Sequence, residues 1–255
     1  MATALVTGGT SGIGAAFARA LAARGTNLVL VARNTERLAA MAAELSERYA
    51  VQVETLAADL ANREDVDRVV ARLTDAARPV DLLVNNAGFG VHSRLTDEDT
   101  SAHEHAMDVM CRAVLILGAA AGRTMRERGK GTIINVSSTA GFVAMGSYSA
   151  IKAWVTAYSE SLAVELAGTG VTVTALCPGW VETEFHQRAG INAGSIPRQL
   201  WLDADQLVAD CLRDAARGKV ISIPSNRYKV LMTLARHAPR GAIRAVSRRL
   251  TSSRR

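Results

Sequence analysis

A phenol and an ammonium group lie one helical turn apart in this sequence. Tyr148 and Lys152 fall in a segment of helical pattern, where residues i and i+4 share a face. A tyrosine hydroxyl has a reference pKa of about 10, and a nearby ammonium stabilises the phenolate and lowers that pKa. The pair could therefore exchange a proton with a bound molecule nearer neutral pH, as a general acid or base does. Because this spacing often arises by chance, it does not decide the function alone.

A glycine-rich segment near the N-terminus predicts a phosphate-binding turn. Residues 7–14 read Thr-Gly-Gly-Thr-Ser-Gly-Ile-Gly, between an apolar strand pattern and a helical one. Gly8 permits a tight turn, Gly12 lets the backbone approach a phosphate, and Gly14 lets the helix pack closely on the sheet. The N–H groups and dipole of the helix N-terminus favour a pyrophosphate there. A merely structural turn is the alternative, and the strand–turn–helix context favours a dinucleotide bound by Gly8, Thr10, Ser11, Gly12, Ile13 and Gly14.

The end of the second predicted strand indicates which dinucleotide is bound. Arg33 stands there, in the run Val-Ala-Arg-Asn. An acidic residue at this place binds a ribose 2′-hydroxyl, whereas a basic one accommodates a 2′-phosphate, and a guanidinium matches phosphate geometry. We therefore expect NADP(H) in preference to NAD(H); the alternative is that Arg33 is a solvated surface residue.

Short apolar segments alternate with longer segments of helical period. Strands without polar alternation are usually covered on both faces, and regular β-α-β alternation implies a parallel, doubly wound sheet. We predict a single Rossmann-like α/β domain of about seven strands with helices on both faces, with residues 1–225 as the dinucleotide-binding and catalytic domain and 226–255 as a basic helical tail. The predicted strands are 3–7, 27–32, 51–57, 80–84, 132–136, 171–176 and 220–223, and the helices are 12–24, 35–48, 63–77, 97–128, 147–166 and 203–216.

With further motifs, the sequence resembles the short-chain dehydrogenase/reductase family over about residues 3–224. The motifs agree in order and spacing, and their conjunction is far more specific than any one of them. They are the glycine turn of residues 7–14, Asp59, Asn85-Asn86-Ala87-Gly88, Ser137-Ser138, Tyr148-x-x-x-Lys152, and Pro178-Gly179 with Thr183.

This resemblance implies roles for the matched residues. Ser138 would bind and stabilise the substrate oxygen, Tyr148 would be the catalytic acid or base, and Lys152 would also bind the nicotinamide ribose. Ser137 is a weaker candidate for the role of Ser138, and Asn85 is as readily a structural residue bonding across the sheet. The implied cofactor contacts are Asp59 and Leu60 at the adenine, Asn86, Ala87 and Gly88 along the ribose, and Pro178, Gly179, Val181 and Thr183 at the nicotinamide carboxamide.

Two features depart from the family pattern. Met110 stands where the family commonly has an asparagine that helps a proton relay through water and Lys152. Since a methionine cannot relay a proton, either the relay runs differently or catalysis is slow. In addition, Ser138 precedes Tyr148 by only ten residues, which shortens a loop that normally touches substrate.

Charge and cysteine content narrow the classes of function. The net charge is +6, yet eleven Lys/Arg and no Asp/Glu follow Asp214, so residues 1–214 carry a net charge of −5. Three isolated cysteines, Cys111, Cys177 and Cys211, indicate free buried thiols in a reducing compartment.

With no signal-peptide pattern, and with the best apolar run, 113–121, too short to span a bilayer, we expect a cytoplasmic location. His103-Glu104-His105 places its imidazoles on different helical faces, so we expect a solvated surface and no metal site.

The basic tail leaves three interpretations open. Its apolar positions and arginines could cover the substrate cleft or a partner subunit, lie on an anionic membrane, or bind nucleic acid. Packing on protein is favoured, peripheral membrane contact is the second reading, and no motif supports nucleic acid. The apolar positions are Tyr228, Val230, Leu231, Leu234, Ile243, Val246 and Leu250.

We expect the substrate pocket to be formed by the loop 139–147, residues 89–94 and a flap at 182–199. Its lining would be apolar, which favours a hydrophobic aldehyde, ketone or secondary alcohol. The expected apolar residues are Phe142, Val143, Met145, Trp180, Phe185, Ile191, Ile196 and Trp201.

The sequence therefore predicts an NADP(H)-dependent reductase, with a catalytically weak nucleotide-binding scaffold of the same fold as the alternative. Relatives are commonly dimers or tetramers, so a homo-oligomer is expected.

Overall fold

Seven parallel strands form the central sheet of this protein. The structure is a computed structural model and describes residues 1–91, 93–183 and 197–252, without the side chains of residues 240, 246 and 249–252. The strands are β1 (Thr3–Thr7), β2 (Asn27–Ala32), β3 (Val53–Ala57), β4 (Leu82–Asn85), β5 (Gly131–Val136), β6 (Val171–Leu176), β7 (Trp180–Val181), β8 (Trp201–Leu202) and β9 (Ile221–Ser222). The sheet order is β3-β2-β1-β4-β5-β6-β9, and β7 and β8 form a separate parallel pair. The predicted doubly wound Rossmann-like domain is confirmed.

Helices cover both faces of the sheet. They are α1 (Gly12–Ala22), α2 (Thr35–Tyr49), α3 (Arg63–Leu73), α4 (Ser101–Met107), α5 (Ala113–Glu127), α6 (Gly146–Glu165), α7 (Ala204–Ala216), α8 (Asn226–His237) and α9 (Arg240–Ser252). A five-residue π-helical turn, Asp108–Arg112, joins α4 to α5. The predicted helix 97–128 is thus one helical stretch that begins at Ser101 and is interrupted by a wider turn.

Two apolar cores explain why the strands read as continuous apolar runs. Leu5 packs in one core with residues of α3, α5 and α6, while its neighbour Val6 packs in the other with residues of α1, α2 and α7. Both side chains are fully buried. Because successive strand residues point to opposite faces and both faces are covered, polar alternation has no place in these strands.

The order of the strands places a crevice at the end of β1. β1 pairs with β2 on one side and with β4 on the other, so the chain direction across the sheet reverses there. Ligands of open α/β sheets bind at the carboxyl ends of the strands beside such a switch point. The glycine turn after β1 and the Asn-Ala-Gly segment after β4 both lie at this edge.

The helical stretch Ser101–Glu127 is 27 residues long and, by length and composition alone, could cross a membrane. The apolar run 113–121 considered from the sequence is therefore part of a longer apolar helix. More than half of its most apolar window is buried inside the fold, where α5 contributes Leu117 and Met125 to the first core. A core helix of a globular domain has this combination of features.

The basic tail folds as two helices on the rest of the domain. α8 ends at His237, and Pro239 precedes α9. Tyr228, Met232 and Ser247 are buried, and the Ser247 hydroxyl accepts a hydrogen bond of 3.1 Å from the Ala144 N–H in the loop before α6. The inward faces of these helices therefore pack on the domain, in agreement with the favoured interpretation of the tail.

Candidate active site

The turn after β1 requires its glycines. Gly8 and Gly12 have φ angles of +65° and +53°, which are disfavoured for residues with a Cβ. A Cβ on Gly14 would lie 2.1 Å from the Gly8 carbonyl oxygen, and one on Gly8 would lie 2.9 Å from Nδ2 of Asn86. The turn is therefore held tightly against the start of α1 and against the segment after β4.

Thr7, which the sequence reasoning did not single out as a site residue, fixes this junction. Its Oγ accepts hydrogen bonds from the N–H groups of Asn86 (2.9 Å) and Ala87 (3.0 Å). The Asn86 amide in turn donates to the Thr7 carbonyl at 2.9 Å. Asn86, expected along the ribose, thus uses its side-chain N–H to hold the glycine turn. The only sequence signal for Thr7 was its place at the strand end inside the glycine motif.

The start of α1 is suited to an anion. Ser11 is its extended N-cap residue and makes no side-chain capping bond, so the first N–H groups of the helix are left for another acceptor. Thr10, Ser11 and Ile13 are all partly exposed at this turn. A Cβ on Gly12 would meet Cβ of Thr183 at 3.3 Å. The glycine turn and the segment after β7, both expected at the dinucleotide, therefore face each other.

The adenine side of the site carries the predicted Arg33, Asp59 and Leu60. Arg33 is exposed directly after β2. Asp59 is partly buried and its carboxylate accepts a 3.0 Å bond from the Ala61 N–H, while Leu60 is buried. Arg33 is thus available to a ligand, whereas Asp59 also shapes its own loop.

Ser138 and Tyr148 lie together despite the short interval between them. The intervening chain forms one turn of 3₁₀ helix, Thr139–Phe142, which Ser138 caps by accepting a 3.1 Å bond from the Ala140 N–H. The side chain of Ser138 also hydrogen-bonds that of Tyr148. A compact 3₁₀ turn therefore replaces the longer loop of the family pattern without separating the two hydroxyls.

Lys152 is buried beside this pair. Its Nζ donates to the Val136 carbonyl at 2.8 Å and lies 5.6 Å from the centre of the Tyr148 ring. A Cβ on Gly88 would be 3.7 Å from the same Nζ and 2.9 Å from the Met110 sulfur. The segment after β4, the last residue of β5 and helix α6 thus meet around one ammonium.

The pKa of Tyr148 is shifted in the opposite direction to the one expected from its spacing to Lys152. Burial raises the pKa of Tyr148 to about 12, and the hydrogen bond with Ser138 opposes this rise. Burial likewise lowers the pKa of Lys152 to about 8. Desolvation disfavours the charged form of both groups. The expectation of a lowered phenol pKa is therefore wrong, because burial is the largest influence on this group.

Met110 occupies the π-helical turn and is fully buried. Its sulfur contacts the Gly88 backbone position next to Lys152, which is where the family asparagine would act. A thioether offers only a weak acceptor and no donor. Met110 therefore cannot pass a proton to Lys152.

Ser137 and Asn85 have structural duties. The buried Ser137 hydroxyl donates to the Lys152 carbonyl at 2.7 Å and lies 2.7 Å from Oγ1 of Thr156, so it is not placed as an alternative to Ser138. Asn85 donates to Oδ1 of Asn135 at 2.9 Å, and Asn135 donates to Ser159 at 3.0 Å. Asn85 therefore bonds across the sheet, and this polar chain ties β4 and β5 to α6.

His103 differs from its predicted solvated position. It is buried, and its Nε2 lies 3.1 Å from the Arg94 carbonyl, while His105 stacks on Phe89 at a centroid distance of 5.1 Å. These contacts hold the loop after Gly88 to α4. Among the described residues no group of three or more His, Cys, Asp or Glu side chains could hold a metal ion.

The described part of the expected substrate wall is apolar and is reinforced by the tail. Trp180 and Trp201 pack at a centroid distance of 6.2 Å, and the Arg236 guanidinium lies over the Phe142 ring. Pro178 accepts bonds from the N–H and hydroxyl of Thr139, and Val181 is buried. Phe185, Ile191 and Ile196 lie outside the described residues.

Sequence comparison decides the family. A family model described as short chain dehydrogenase matches residues 2–193. The chain belongs to the short-chain dehydrogenase family. It is therefore a short-chain dehydrogenase-type oxidoreductase, in agreement with the resemblance read from its motifs.

Relatives of this short-chain dehydrogenase agree with the fold. An uncharacterized oxidoreductase of Mycobacterium tuberculosis is 33% identical over 221 residues, 85% of this chain and 87% of the relative. A short-chain dehydrogenase from Sphingobium yanoikuyae in complex with NADPH is 35% identical, with a TM-score of 0.84 over 92% of this chain and 94% of the other. A bulky-bulky ketone specific alcohol dehydrogenase from Comamonas testosteroni is 31% identical, with a TM-score of 0.80 over 92% of each chain.

Proposed function

We propose that this short-chain dehydrogenase is an NADP(H)-dependent oxidoreductase that interconverts a hydrophobic carbonyl compound and its alcohol. One observation carries the proposal: Ser138, Tyr148 and Lys152 meet at the carboxyl edge of β5, facing the segment after β4 that borders the glycine turn. A proton donor, an oxygen-binding hydroxyl and an ammonium are thereby gathered at the crevice where α/β sheets bind dinucleotides.

The residues at this crevice fit a nicotinamide dinucleotide. The glycine turn leaves a cradle that side chains would fill, and the N–H groups at the start of α1 are open to a pyrophosphate. We propose that Arg33 binds the 2′-phosphate, which favours NADP(H) over NAD(H). The NADPH bound by the Sphingobium yanoikuyae relative supports this preference. The remaining proposed contacts are Asp59, Leu60, Asn86, Ala87, Gly88, Pro178, Gly179, Val181 and Thr183, with Tyr148 and Lys152 at the nicotinamide end.

The chemistry of the step divides between cofactor and chain. The reduced dinucleotide supplies a hydride when bound. Ser138 donates a hydrogen bond to the substrate oxygen as negative charge develops there. Tyr148 gives that oxygen its proton, and its high pKa keeps it protonated and able to do so at neutral pH. Lys152 is held by the Val136 carbonyl, from which it can stabilise the phenolate that remains.

The apolar wall supports a hydrophobic substrate. Phe142, Trp180 and Trp201 are partly exposed apolar side chains on the segments expected to border the crevice, and the Comamonas testosteroni relative is a bulky-bulky ketone specific alcohol dehydrogenase. We propose an aldehyde, ketone or secondary alcohol with apolar substituents on the carbon that reacts.

Two further parts of the proposal concern the assembly and the location of the protein. Exposed apolar side chains on α5 and α6, among them Leu115, Trp154 and Val164, support a homo-oligomer formed through the helices after β4 and β5. We further propose a cytoplasmic protein in which residues 1–225 form the catalytic domain and residues 226–255 the basic tail.

A Tyr148→Phe substitution tests the proposal. The variant should bind NADPH as the wild type does, measured by cofactor fluorescence, and lose at least a hundredfold in turnover of apolar ketones, followed by NADPH absorbance. Tyr158→Phe on the same helix is the matched control, since its hydroxyl bonds the Leu115 carbonyl away from the crevice. Full turnover in Tyr148→Phe would refute the assignment. Tight NADPH binding by the wild type with no turnover of any carbonyl would favour the scaffold alternative. Met110 at the position of the family's asparagine is the feature that supports this alternative.

A further inference from the structure

Helix α8 presents a second apolar face to solvent. Val230, Leu231 and Leu234 are 60%, 46% and 65% exposed, and their spacing puts them on one side of the helix. The inward side is also apolar, with Tyr228 and Met232 buried against the domain. A single exposed aliphatic is ordinary, but three neighbours on one short helix form a patch of the kind that marks an interaction surface.

The two tail helices, one of which carries this apolar patch, are rich in cations. Lys229 lies on α8 and Arg244 and Arg248 lie on α9, all exposed, and the two arginines make no ion pair with any described residue. Arg227 and Arg236 are also exposed on α8. No Asp or Glu follows Asp214 in the sequence, so nothing within the tail neutralises these charges. Arg236 pairs with Glu160 of α6 at 3.3 Å, whereas Arg244 and Arg248 keep their charge unpaired among the described residues. The tail therefore combines exposed aliphatic side chains with an excess of positive charge.

We propose that this tail surface docks on an anionic lipid membrane. The surface consists of Val230, Leu231 and Leu234 on α8 with the exposed Arg244 and Arg248 on α9. An amphipathic helix that lies in the interface plane buries aliphatic side chains at the boundary of headgroups and acyl chains, while its cations approach lipid phosphates. Neither helix is long enough to span a bilayer, so the contact is peripheral.

Charge distinguishes lipid from the other occupants. A second copy of the chain, paired about a two-fold axis, would set this positive surface against itself, which like-charge repulsion opposes. Nucleic acid would satisfy the cations but would leave the aliphatic side chains in water. Only a partner that is both negatively charged and apolar beneath its surface complements the whole patch.

Docking would also bring the catalytic edge of the sheet close to lipid. The inward side of α8 packs on Gly179 through Tyr228, and Arg236 of the same helix reaches Phe142 beside Ser138. A hydrophobic substrate dissolved in a membrane would then have a short path to the crevice. The docking itself does not depend on the proposed reaction.

Co-sedimentation of the full chain with lipid vesicles tests this inference. Wild type should pellet with vesicles of phosphatidylcholine and phosphatidylserine, stay in solution with phosphatidylcholine alone, and dissociate at high salt. The variant Val230→Ser/Leu231→Ser/Leu234→Ser should bind the anionic vesicles at least tenfold more weakly, and so should Arg244→Gln/Arg248→Gln. The matched control is Leu95→Ser/Met107→Ser, two exposed apolar residues elsewhere, which should pellet as the wild type does.

Several outcomes would overturn the inference. Wild type that stays in solution with both kinds of vesicle, or that pellets equally with both, would exclude an anionic lipid partner. An oligomer dissolved by the triple serine change, without vesicle binding, would assign the surface to a second copy. Duplex DNA binding that requires the arginines but not the aliphatic residues would assign it to nucleic acid. Circular dichroism and the thermal midpoint show that each variant is folded before it is compared.

Discussion

The ring of Tyr228 lies directly against Gly179. A Cβ on the glycine would be 2.0 Å from Cζ of that ring. The Tyr228 hydroxyl accepts a 3.1 Å bond from the Trp180 N–H and donates a 2.8 Å bond to the Leu200 carbonyl. Tyr228 thus joins the chain at Gly179 and Trp180 to the chain that enters β8. Glycine is the residue type at position 179 that leaves room for the ring.

Removing the Tyr228 hydroxyl should loosen this junction. Tyr228→Phe keeps the ring and loses both bonds, so the free energy of unfolding should fall by about 1–2 kcal/mol, measured by denaturant titration. NADPH affinity should fall severalfold if the loop after β6 contacts the nicotinamide. Tyr49→Phe, on α2, is the control and should change neither quantity.

Gly179→Ala should be more damaging, because its Cβ would overlap the Tyr228 ring. We expect a loss of about 1–3 kcal/mol of stability. Adding Tyr228→Ala should recover part of it, since the obstructing ring is then gone. Strictly additive effects in this double-mutant cycle would contradict the contact.

Gly14→Ala should disable the dinucleotide turn. The new Cβ would lie 2.1 Å from the Gly8 carbonyl oxygen, which is backbone and cannot move aside cheaply. NADPH affinity should fall at least tenfold, with about 1–3 kcal/mol lost from the free energy of unfolding. Gly241→Ala, in α9 with no atom near its Cβ, is the matched control. Unchanged NADPH binding in Gly14→Ala would remove the turn from the proposed site.

Arg33→Ala should change cofactor preference. If the guanidinium binds the 2′-phosphate, losing that charge-assisted contact should weaken NADPH binding by about tenfold to a hundredfold and leave NADH binding nearly unchanged. Arg48→Ala, near the far end of α2, should alter neither. Equal loss for both cofactors would show that Arg33 does not discriminate between them.

The buried Lys152 should make the stability of the protein rise with pH. Burial lowers its pKa from 10.5 to about 8, so between these values the unfolded chain binds more protons than the folded one, and stability rises with pH. Relative to Lys152→Met, the wild type should therefore gain on the order of 2–3 kcal/mol between about pH 7 and pH 10, measured by denaturant titration. The exposed Lys130→Met should show no such trend. A wild type that loses stability relative to Lys152→Met over this range would contradict the assignment.

Local patterns in the sequence were sufficient for the fold and the family. Each predicted strand proved to be a strand, because residues such as Leu5 and Val6 are buried on opposite faces and leave an unbroken apolar run. The glycine turn, Asn-Asn-Ala-Gly, and Tyr148-x-x-x-Lys152 are contiguous motifs whose meaning lies in spacing along the chain. Helix ends were less accurate, since α3 stops at Leu73, four residues before the predicted end.

Tertiary structure decided the features that depend on segments distant in sequence. The role of Thr7 arises only when β4 lies beside β1, the burial of His103 only when the loop carrying Arg94 folds over α4, and the contact of Tyr228 with Gly179 only when the tail returns to the sheet. The pKa values of Tyr148 and Lys152 likewise follow from burial by several elements. The sequence by itself determined which residue types stand at which spacing, whereas desolvation and close packing are properties of the assembled fold, and these set how each group can act.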